Sequence, residues 1–319
     1  MEKFNTIKFI EKLISFGERQ GEAETCAAKY IIEILNQYGV GYFLHEFKTA
    51  IPLIRKSCVL ADSKLVPSKG TSFTSGKING KDSIVSSLVP LKFLFEYSNF
   101  NFNPECEIIS QSNFYSAPSF AISKNDLGIV LNSKKVSAEI VVEKKEHISL
   151  NILVGNIRNP DNVIFAHYDS ISLGATDNAS GIAVLMDTII SDSELLIKNL
   201  FVFSGNEELS YDEPTYWGHG FREFEKDYLE ILDKAKSIIV VDCVGNGKTV
   251  LENDDYVGNL SFPIINATLY SKKLFVMYGD IRKLFKVYHS DLDDLSQIDR
   301  NHLLEASVLL QKELKNRYE

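Results

Sequence analysis

The sequence has little cysteine, and its cysteines are not spaced for a shared task. Four occur in 319 residues, namely Cys26, Cys58, Cys106 and Cys243, and no two of them form a C-x-x-C pair. A disulfide scaffold needs a higher cysteine density in a shorter chain. We therefore expect reduced, mostly buried thiols, and two disulfides are the less favoured alternative.

An excess of basic residues is also missing. The chain has 34 lysines and arginines against 43 aspartates and glutamates, which gives a formal net charge of -9. A nucleic-acid partner would require a clustered basic face that neutralises phosphates. The composition therefore argues against nucleic-acid binding.

Long apolar runs and an export signal are absent as well. A membrane-spanning helix requires roughly 20 consecutive apolar residues, and no run approaches that length. The opening MEKFNTIKFIEKLISFGERQ reads as an amphipathic helix with Ile7, Ile10 and Ile14 on one side. It lacks the basic start, apolar centre and cleavage site of a signal peptide. We expect a soluble, cytoplasmic protein that does not contact a membrane.

Two stretches at the beginning of the chain differ in pattern. Residues 1–50 read as helix, helix and strand, with a helix over Glu24 to Tyr38 that ends at Gly39. In residues 51–135, Ser, Asn, Gly and Lys interrupt short apolar runs, and no helical period persists. We interpret residues 51–135 as an irregular, strand-rich, lid-like insertion in a catalytic domain made of residues 1–50 and 136–319.

From residue 136 onward, apolar strands alternate with segments of helical length. The predicted strands are AEIVVEK, NVIFA, NLFVFS, SIIVVD and KLFVMYG, and the predicted helices span about 180–190, 224–235 and 301–316. Such alternation is typical of a mostly parallel sheet covered by helices on both faces. The sequence therefore predicts an α/β fold with a mixed, mostly parallel central sheet flanked by helices.

Acidic residues and histidines follow the predicted strands. They are His167 and Asp169 after NVIFA, Asp177 in the next loop, Glu207 and Glu208 after NLFVFSGN, Asp242 after SIIVV, and His289 at the end of the last strand-like run. Ligands of open α/β sheets bind outside the carboxyl ends of the strands, so these side chains can converge on one rim. Each of them alone also has an ordinary explanation, such as a helix cap or a solvated charge.

A cluster of this composition indicates a bound cation. Neighbouring carboxylates would otherwise repel one another and become protonated. Imidazole and carboxylate groups without thiolate suit zinc or a neighbouring first-row metal. Because the donors outnumber the needs of one ion, a bridging carboxylate can serve two ions roughly 3.5 to 4 Å apart.

Five motifs give a more specific resemblance. In this order, HYDS, GATDNASG, GNEELS, VVDCVG and YHSDLDD resemble the M28 family of zinc aminopeptidases, and ISFGERQGEAETCAAKYIIEILNQYGV resembles the N-terminal helical region of that family. The resemblance is strong over about 1–50 and 136–319 and weak over the insertion. It implies hydrolysis of N-terminal residues from peptides with a free N-terminus, and it leaves a homo-oligomer open.

The same resemblance implies a role for each candidate residue. His167, Asp177 and Asp242 would hold one zinc ion, Asp177, Glu208 and His289 would hold the other, Glu207 would be the general base, and Asp169 would fix the tautomer of His167. Cobalt and manganese are the expected substitutes for zinc. The short spacing between His167 and Asp177 predicts a tight loop.

Two other functions remain as alternatives. The first is a single-zinc acyltransferase resembling glutaminyl cyclases, which share this fold and would contain one ion per chain. The second is a non-enzymatic receptor-like or scaffold domain, as in relatives that have lost their ligands. The second is disfavoured because every ligand position of the family is filled here.

One loop departs from the pattern of the family. After Glu208 the sequence runs LSYDEPTYWGHGF, where relatives continue into a shorter helical segment. Its rings, Tyr211, Tyr216, Trp217 and His219, either form the wall of a specificity pocket or pack the loop. We assign no function to His45, His147 and His302, which lack this context.

Overall fold

The computed structural model describes residues 4–81, 83–88 and 96–316. Its helices are α1 (Thr6–Ile14), α2 (Glu22–Gln37), α3 (Leu127–Asn132), α4 (Ser180–Ser191), α5 (His219–Lys234), α6 (Asp255–Ser261), α7 (Ala267–Tyr270), α8 (Ile281–Phe285) and α9 (Arg300–Asn316). Its strands are β1 (Phe43–Ala61), β2 (Lys64–Val66), β3 (Lys69–Gly70), β4 (Gly76–Asn79), β5 (Ile84–Ser86), β6 (Asn99–Phe102), β7 (Ser119–Ala121), β8 (Val136–Gly155), β9 (Asn162–His167), β10 (Asn199–Ser204), β11 (Ser237–Val241), β12 (Val250–Glu252) and β13 (Leu274–Tyr278).

The chain divides into two compact units. Unit 1 comprises Met1–Thr49, His147–Leu284 and Asp293–Glu319, and unit 2 comprises Ala50–Glu146 and Phe285–Leu292. The predicted division into residues 1–50, 51–135 and 136–319 stays a prediction about domains. Residue 82 and residues 89–95 of the predicted insertion lie outside the described residues.

Unit 1 is built on a mixed sheet with strand order β12, β13, β11, β9, β10 and β8. The four central strands β13, β11, β9 and β10 are parallel, whereas β12 and β8 pair antiparallel at the two sides of this group. The parallel strands read as continuous apolar runs because both of their faces are covered. The predicted α/β class with a mixed, mostly parallel sheet is confirmed.

Alternate residues of the central strands supply two separate cores. Ile164 of β9 and Phe201 of β10 pack in one core, together with apolar residues of α1, α2, α4 and α9. Phe165 and Val202 point to the opposite face and pack with apolar residues of α5, of α7 and of the connection between α6 and α7. This alternation follows from the two-residue period of a strand. Helices therefore cover both faces and leave the strand ends as the place for polar side chains.

Unit 2 is made of short elements around a small core. A four-stranded sheet has the order β3, β7, β6 and β5, while β4 pairs with β8 and β1 turns back into β2. The turn between β1 and β2 is formed by Asp62 and Ser63, which both have positive φ. Phe100, Phe120 and Ile140 are among its buried core residues. The description of residues 51–135 as strand-rich and irregular agrees with these elements.

The prediction that His289 ends a strand is wrong. After β13 the chain forms α8, and residues 286–289 are turns. Asp280 explains the difference, since its side chain accepts hydrogen bonds from the amides of Arg282 and Lys283 and so starts a helix. The apolar residues of KLFKVYH have the close spacing that predicts a strand, but the capping by Asp280 favours a helix at the start of this segment.

Within residues 4–81, 83–88 and 96–316, no helix combines the length and apolarity that a membrane span requires.

Candidate metal centre

Parallel pairing brings the ends of three strands in unit 1 to the same level. His167 at the end of β9 pairs in register with Ser204 at the end of β10. Phe165 of β9 pairs with Val240 of β11, so that Asp242 lies as far beyond this pair as His167 does. The strand-end rule therefore places the loops after β9, β10 and β11 beside one another.

His167 lies among carboxylates on both sides of its ring. Its Nε2 atom is 3.3 Å from Asp177 Oδ1 and 3.5 Å from Asp242 Oδ1. Its Nδ1 atom is 3.2 Å from the backbone oxygen of Asp169 and 3.5 Å from Asp169 Oδ1. The predicted neighbours of His167 in unit 1 are therefore brought together, with Asp169 on one side of the ring and two proposed ligands on the other.

The start of α4 is tied to the end of β11 immediately after Asp177. Asn178 donates to the backbone oxygen of Val241 at 2.9 Å and accepts from the amide of Gly181 at 3.0 Å. A Cβ atom on Gly181 would lie 2.6 Å from the same Val241 oxygen. The absence of a side chain at Gly181 therefore allows the helix start to approach the strand that leads to Asp242.

Glu207 and Glu208 follow β10 and are held by Asp169. The amide of Glu207 donates to Asp169 Oδ1 and the amide of Glu208 donates to Asp169 Oδ2, each at 2.9 Å. Gln20 of the α1–α2 connection donates to the same carboxylate at 3.2 Å. Asp169 thus links the loop after β9 to the loop after β10, a connection that the sequence resemblance does not reveal.

Burial shifts the protonation of the cluster. Burial raises the pKa of Glu207 well above its usual range, against the opposing charge of His167, and the charges of Glu208 and Asp169 add to the increase. Burial acts to lower the pKa of His167, but its hydrogen bonds to the surrounding aspartates outweigh this effect and raise the pKa. A dry site with several carboxylates gains stability from a positive charge placed among them.

The donor set fits a metal ion of the zinc type. One donor atom each from His167, Asp177 and Glu208 lie within 4.8 Å of one another, and these three residues are buried. Asp177, Asp242 and Cys243 form a second such group. Imidazole and carboxylate donors at this spacing, with Asp177 common to both groups, match the chemistry expected of a zinc site with a shared carboxylate.

Cys243 was not a predicted candidate. Its buried thiol donates to Asp242 Oδ1 at 3.2 Å. The four cysteines are free thiols, but Cys26 is exposed and Cys58 only half-buried, so the expectation of mostly buried thiols holds for Cys106 and Cys243 alone. The VVDCVG motif placed Cys243 next to a proposed ligand, and this adjacency is the signal that could have identified it.

His289 belongs to unit 2. The residue is buried, has a positive φ of 49°, and its Nδ1 atom is 3.2 Å from the backbone oxygen of Gln111. A contact of one ring nitrogen with a backbone carbonyl orients the imidazole, and such contacts are common for metal-binding histidines. The assignment of His289 to a second ion stays a prediction from the sequence.

Arg19 and Asp293 are two further buried charges near the proposed ligands in unit 1. Burial lowers the pKa of Arg19 to about 10, against the opposing charges of Asp169 and other carboxylates, so that the guanidinium stays protonated at neutral pH. Burial also raises the pKa of Asp293 to about 6, although hydrogen bonds from Thr176 and Asp177 oppose the shift. Both residues lie in stretches that carry the family resemblance, GERQ and YHSDLDD, but neither was predicted to act at the site.

The aromatic loop after Glu208 is anchored by a second buried arginine. Arg222 donates to the backbone oxygens of Thr215 and Trp217 at 2.8 and 2.7 Å and to Asp212 at 2.8 Å. His219 lies 2.8 Å from the same carboxylate of Asp212. The loop is therefore fixed by polar contacts. Whether its rings form a pocket wall or only pack the loop stays an open prediction.

The three histidines without an assigned function are each paired with an acid. His45 is 3.0 Å from Asp227, His147 is 3.1 Å from Glu24, and His302 is 3.0 Å from Glu305. None of these pairs includes a residue of the candidate metal centre.

The loops of the candidate metal centre lie in a segment that resembles a known protein family. Residues 152–252, which contain the loops after β9, β10 and β11, match the model of peptidase family M28. The resemblance to family M28 stated from the sequence is therefore confirmed. No curated protein matches the chain.

Solved structures share the fold at low sequence identity. A zinc aminopeptidase from Bacillus subtilis has a TM-score of 0.70 at 14% identity, covering 98% of this chain and 94% of its own. An aminopeptidase from Aneurinibacillus sp. strain AM-1 has a TM-score of 0.61 at 15% identity, with 96% and 92% covered. A glutaminyl cyclase from Bacteroides thetaiotaomicron has a TM-score of 0.51 at 12% identity, with 97% of both chains covered. These likenesses show the fold of the chain.

Proposed function

We propose that this protein is a zinc-dependent aminopeptidase that removes residues from the free N-termini of peptides. The observation that carries the proposal is the buried group of His167, Asp177 and Glu208 at the strand ends, with Glu207 directly beside it. The zinc aminopeptidase with the same fold supports this choice of reaction. Action on short peptides in the cytoplasm is part of the proposal and rests on the sequence alone.

Two zinc ions are the proposed cofactors, with cobalt or manganese as substitutes. His167, Asp177 and Asp242 would hold one ion, and Asp177, Glu208 and His289 would hold the other. When bound, the ions would supply Lewis acidity toward the scissile carbonyl and the attacking water. The protein supplies the buried carboxylates that balance this charge, and Asp169 aligns the segment that carries Glu207 and Glu208 through its two amide contacts.

Glu207 is the proposed general base. It would take a proton from the attacking water as the new carbon–oxygen bond forms, and would deliver that proton to the leaving amine as the carbon–nitrogen bond breaks. Its burial beside the group of His167, Asp177 and Glu208 supports this role, because it is an acid next to the proposed ligands that is not itself one of them. Asp169 holds the backbone at Glu207, so the position of the base depends on the loop after β9.

Hydrolysis of aminoacyl anilides tests the proposal most directly. The protein purified without chelator should cleave substrates with a free amino group and leave their N-acetylated counterparts intact. A chelator should abolish the reaction, and added zinc should restore it. Cleavage of the acetylated substrates at an equal rate would contradict an aminopeptidase, and chelator-resistant cleavage would contradict a metal-dependent one.

The fold shared with a glutaminyl cyclase supports one alternative. The same preparation should therefore be offered a peptide with an N-terminal glutamine and analysed for loss of ammonia with cyclisation. Elemental analysis provides the second criterion. Cyclisation with one zinc ion per chain, unchanged by added zinc, would favour the acyltransferase, whereas about two ions per chain with anilide hydrolysis would favour the aminopeptidase.

A further inference from the structure

The loop between two proposed zinc ligands is held by charged side chains from outside the loop. We call residues 168–177 the ligand loop, because it begins after His167 and ends at Asp177. Its first part presents carbonyl oxygens to a buried cation, and its last part presents amides to a buried anion. All of these residues belong to unit 1.

Arg19 is the cation. Its side chain is completely buried, at 0% exposure. Its Nε and Nη1 atoms donate to the backbone oxygens of Tyr168 and Leu173, each at 2.6 Å, and its Nη2 atom donates to that of Gly174 at 2.9 Å. Three donors of one planar group therefore join both ends of the stretch 168–174. A lysine ammonium keeps the charge but cannot reproduce this flat array of donors.

Asp293 is the anion. Its side chain is also buried, at 1% exposure. Its Oδ1 and Oδ2 atoms accept from the amides of Thr176 and Asp177 at 2.9 and 3.0 Å, and its backbone oxygen accepts from the amide of Ala175 at 2.9 Å. The carboxylate therefore fixes the backbone at the proposed bridging ligand.

The two charges act on complementary parts of the loop. Backbone carbonyls carry partial negative charge and amides partial positive charge, so a cation at the first part and an anion at the last part both favour the same conformation. We propose that Arg19 and Asp293 are positioning residues that hold the ligand loop in its zinc-binding shape before zinc arrives. This inference rests on the proposed metal centre, but it concerns the geometry of the loop rather than peptide hydrolysis.

Zinc affinity is the first test. Competition with a chromophoric chelator should show about 10- to 100-fold weaker zinc binding in Arg19→Lys and in Asp293→Asn, the range found when residues that orient metal ligands are removed. Arg19→Lys separates charge from geometry. If Arg19→Lys bound zinc as tightly as the wild type, positioning by the guanidinium would be refuted.

The chain offers a matched control pair. Arg222 and Asp212 are also a buried arginine and its acid. Arg222 also donates to backbone oxygens, but these belong to the aromatic loop and to Pro263 and not to the ligand loop. Arg222→Lys and Asp212→Asn remove comparable interactions from unit 1. They should leave zinc affinity unchanged. An equal loss of zinc affinity in Arg222→Lys and Asp212→Asn would mean that any damage to unit 1 weakens zinc binding. That result would refute a specific role for Arg19 and Asp293.

Hydrogen exchange of the zinc-free protein is the second test and does not require metal binding. The amides of Thr176 and Asp177 should exchange on the order of tenfold faster in Asp293→Asn than in Asp212→Asn, as expected for the loss of a hydrogen bond to a charged group. If Asp293→Asn does not fold, Asp293→Glu replaces it in this test, because its longer side chain keeps the negative charge but moves it relative to the two amides. Faster exchange without any zinc binding by the wild type would refute the proposed function and keep the loop inference. Unchanged exchange in both Asp293 variants would refute the loop inference.

Discussion

The loops after β9 and β10 carry proposed site residues from neighbouring parallel strands, yet they are held in different ways. The loop after β10 reaches Glu207 within a few residues and is fixed by Asp169, which comes from the adjacent loop. The ligand loop after β9 is longer and is fixed by Arg19 and Asp293, which are 155 residues before Gly174 and 116 residues after Asp177.

Both loops nevertheless use the same interaction. In each of them, one buried aspartate accepts hydrogen bonds from two consecutive backbone amides at or next to a proposed ligand. Asp169 binds the amides of Glu207 and Glu208, and Asp293 binds those of Thr176 and Asp177. A carboxylate has two oxygens and can bind both amides at once, which fixes two peptide groups with one side chain. The comparison indicates that both loops present proposed site residues on a backbone held by a buried aspartate, and only the β10 loop also carries the proposed general base.

The largest expected effect is on turnover and separates the two acids of the β10 loop. Glu207→Gln keeps the shape of the side chain and removes the proton acceptor, so turnover should fall by about 10² to 10⁴-fold while zinc stays bound. Glu208→Gln replaces an anionic ligand with a neutral one and should lower both zinc occupancy and activity. Zinc content and turnover of both variants provide the measurement. If Glu207→Gln lost zinc and recovered full activity in excess zinc, the two roles would have to be exchanged.

The next effect is on metal content and compares the two aspartates at the ends of the β9 loop. Asp177→Asn removes the proposed bridge between two ions, whereas Asp169→Asn removes only support for His167 and for the β10 loop. Asp169→Asn should cost about 10- to 100-fold in affinity or activity, and Asp177→Asn should cost more metal. Zinc analysis after dialysis against a weak chelator measures the order. The opposite order would show that Asp169 holds the metal directly.

A smaller effect on stability tests the tightness of the ligand loop. Gly174 has a φ of 57°, and a Cβ atom there would lie 2.5 Å from Ser170 Cβ and 3.1 Å from Arg19 Nη2. Gly174→Ala should therefore reduce the free energy of unfolding by about 1–3 kcal/mol. Gly39→Ala is the control, because Gly39 has a φ of 69° and no atom within 4 Å of its added Cβ. Urea denaturation should show the larger loss for Gly174→Ala. Equal losses would mean that backbone strain alone is measured.

The smallest effect concerns the aromatic loop and depends on pH. Burial acts to raise the pKa of Asp212, but hydrogen bonds from His219 and Arg222 outweigh it and lower the pKa. A lowered carboxyl pKa contributes stability above the unfolded value of about 4, and this contribution is lost as the pH falls through the folded value. Asp212→Asn should therefore be less stable than the wild type at neutral pH, and the difference should shrink in acid. A difference in unfolding free energy that grows in acid would contradict this sign.

Much of the candidate site was predictable because its signals are local. A buried strand followed by acids or a histidine is visible within one short stretch, and the parallel arrangement brings three such stretches together. His167, Asp177, Glu208 and Asp242 follow from this rule. The central sheet was predictable for the same reason, since strands covered on both faces must be apolar throughout.

The residues that hold the loops were not predictable in this way. Arg19 lies in a connection between two helices, and nothing local indicates that its donors reach the ligand loop. Asp293 is one of several acids in YHSDLDD, and only the fold distinguishes it from Asp291 and Asp294. The error at residues 286–289 has a similar origin, because the cap by Asp280 outweighs the apolar spacing of the segment.

The position of Asp293 near the end of the chain has a consequence for biosynthesis. A protein is made from its N-terminus, so His167, Asp177, Glu208 and Asp242 leave the ribosome before Asp293 has been added. Until then, the amides of Thr176 and Asp177 lack the acceptor that they have in the folded protein. A nascent chain that ends at β13 therefore contains four proposed zinc ligands, but its ligand loop still lacks the carboxylate of Asp293. Acquisition of the metal is expected to be among the last events in the maturation of this protein.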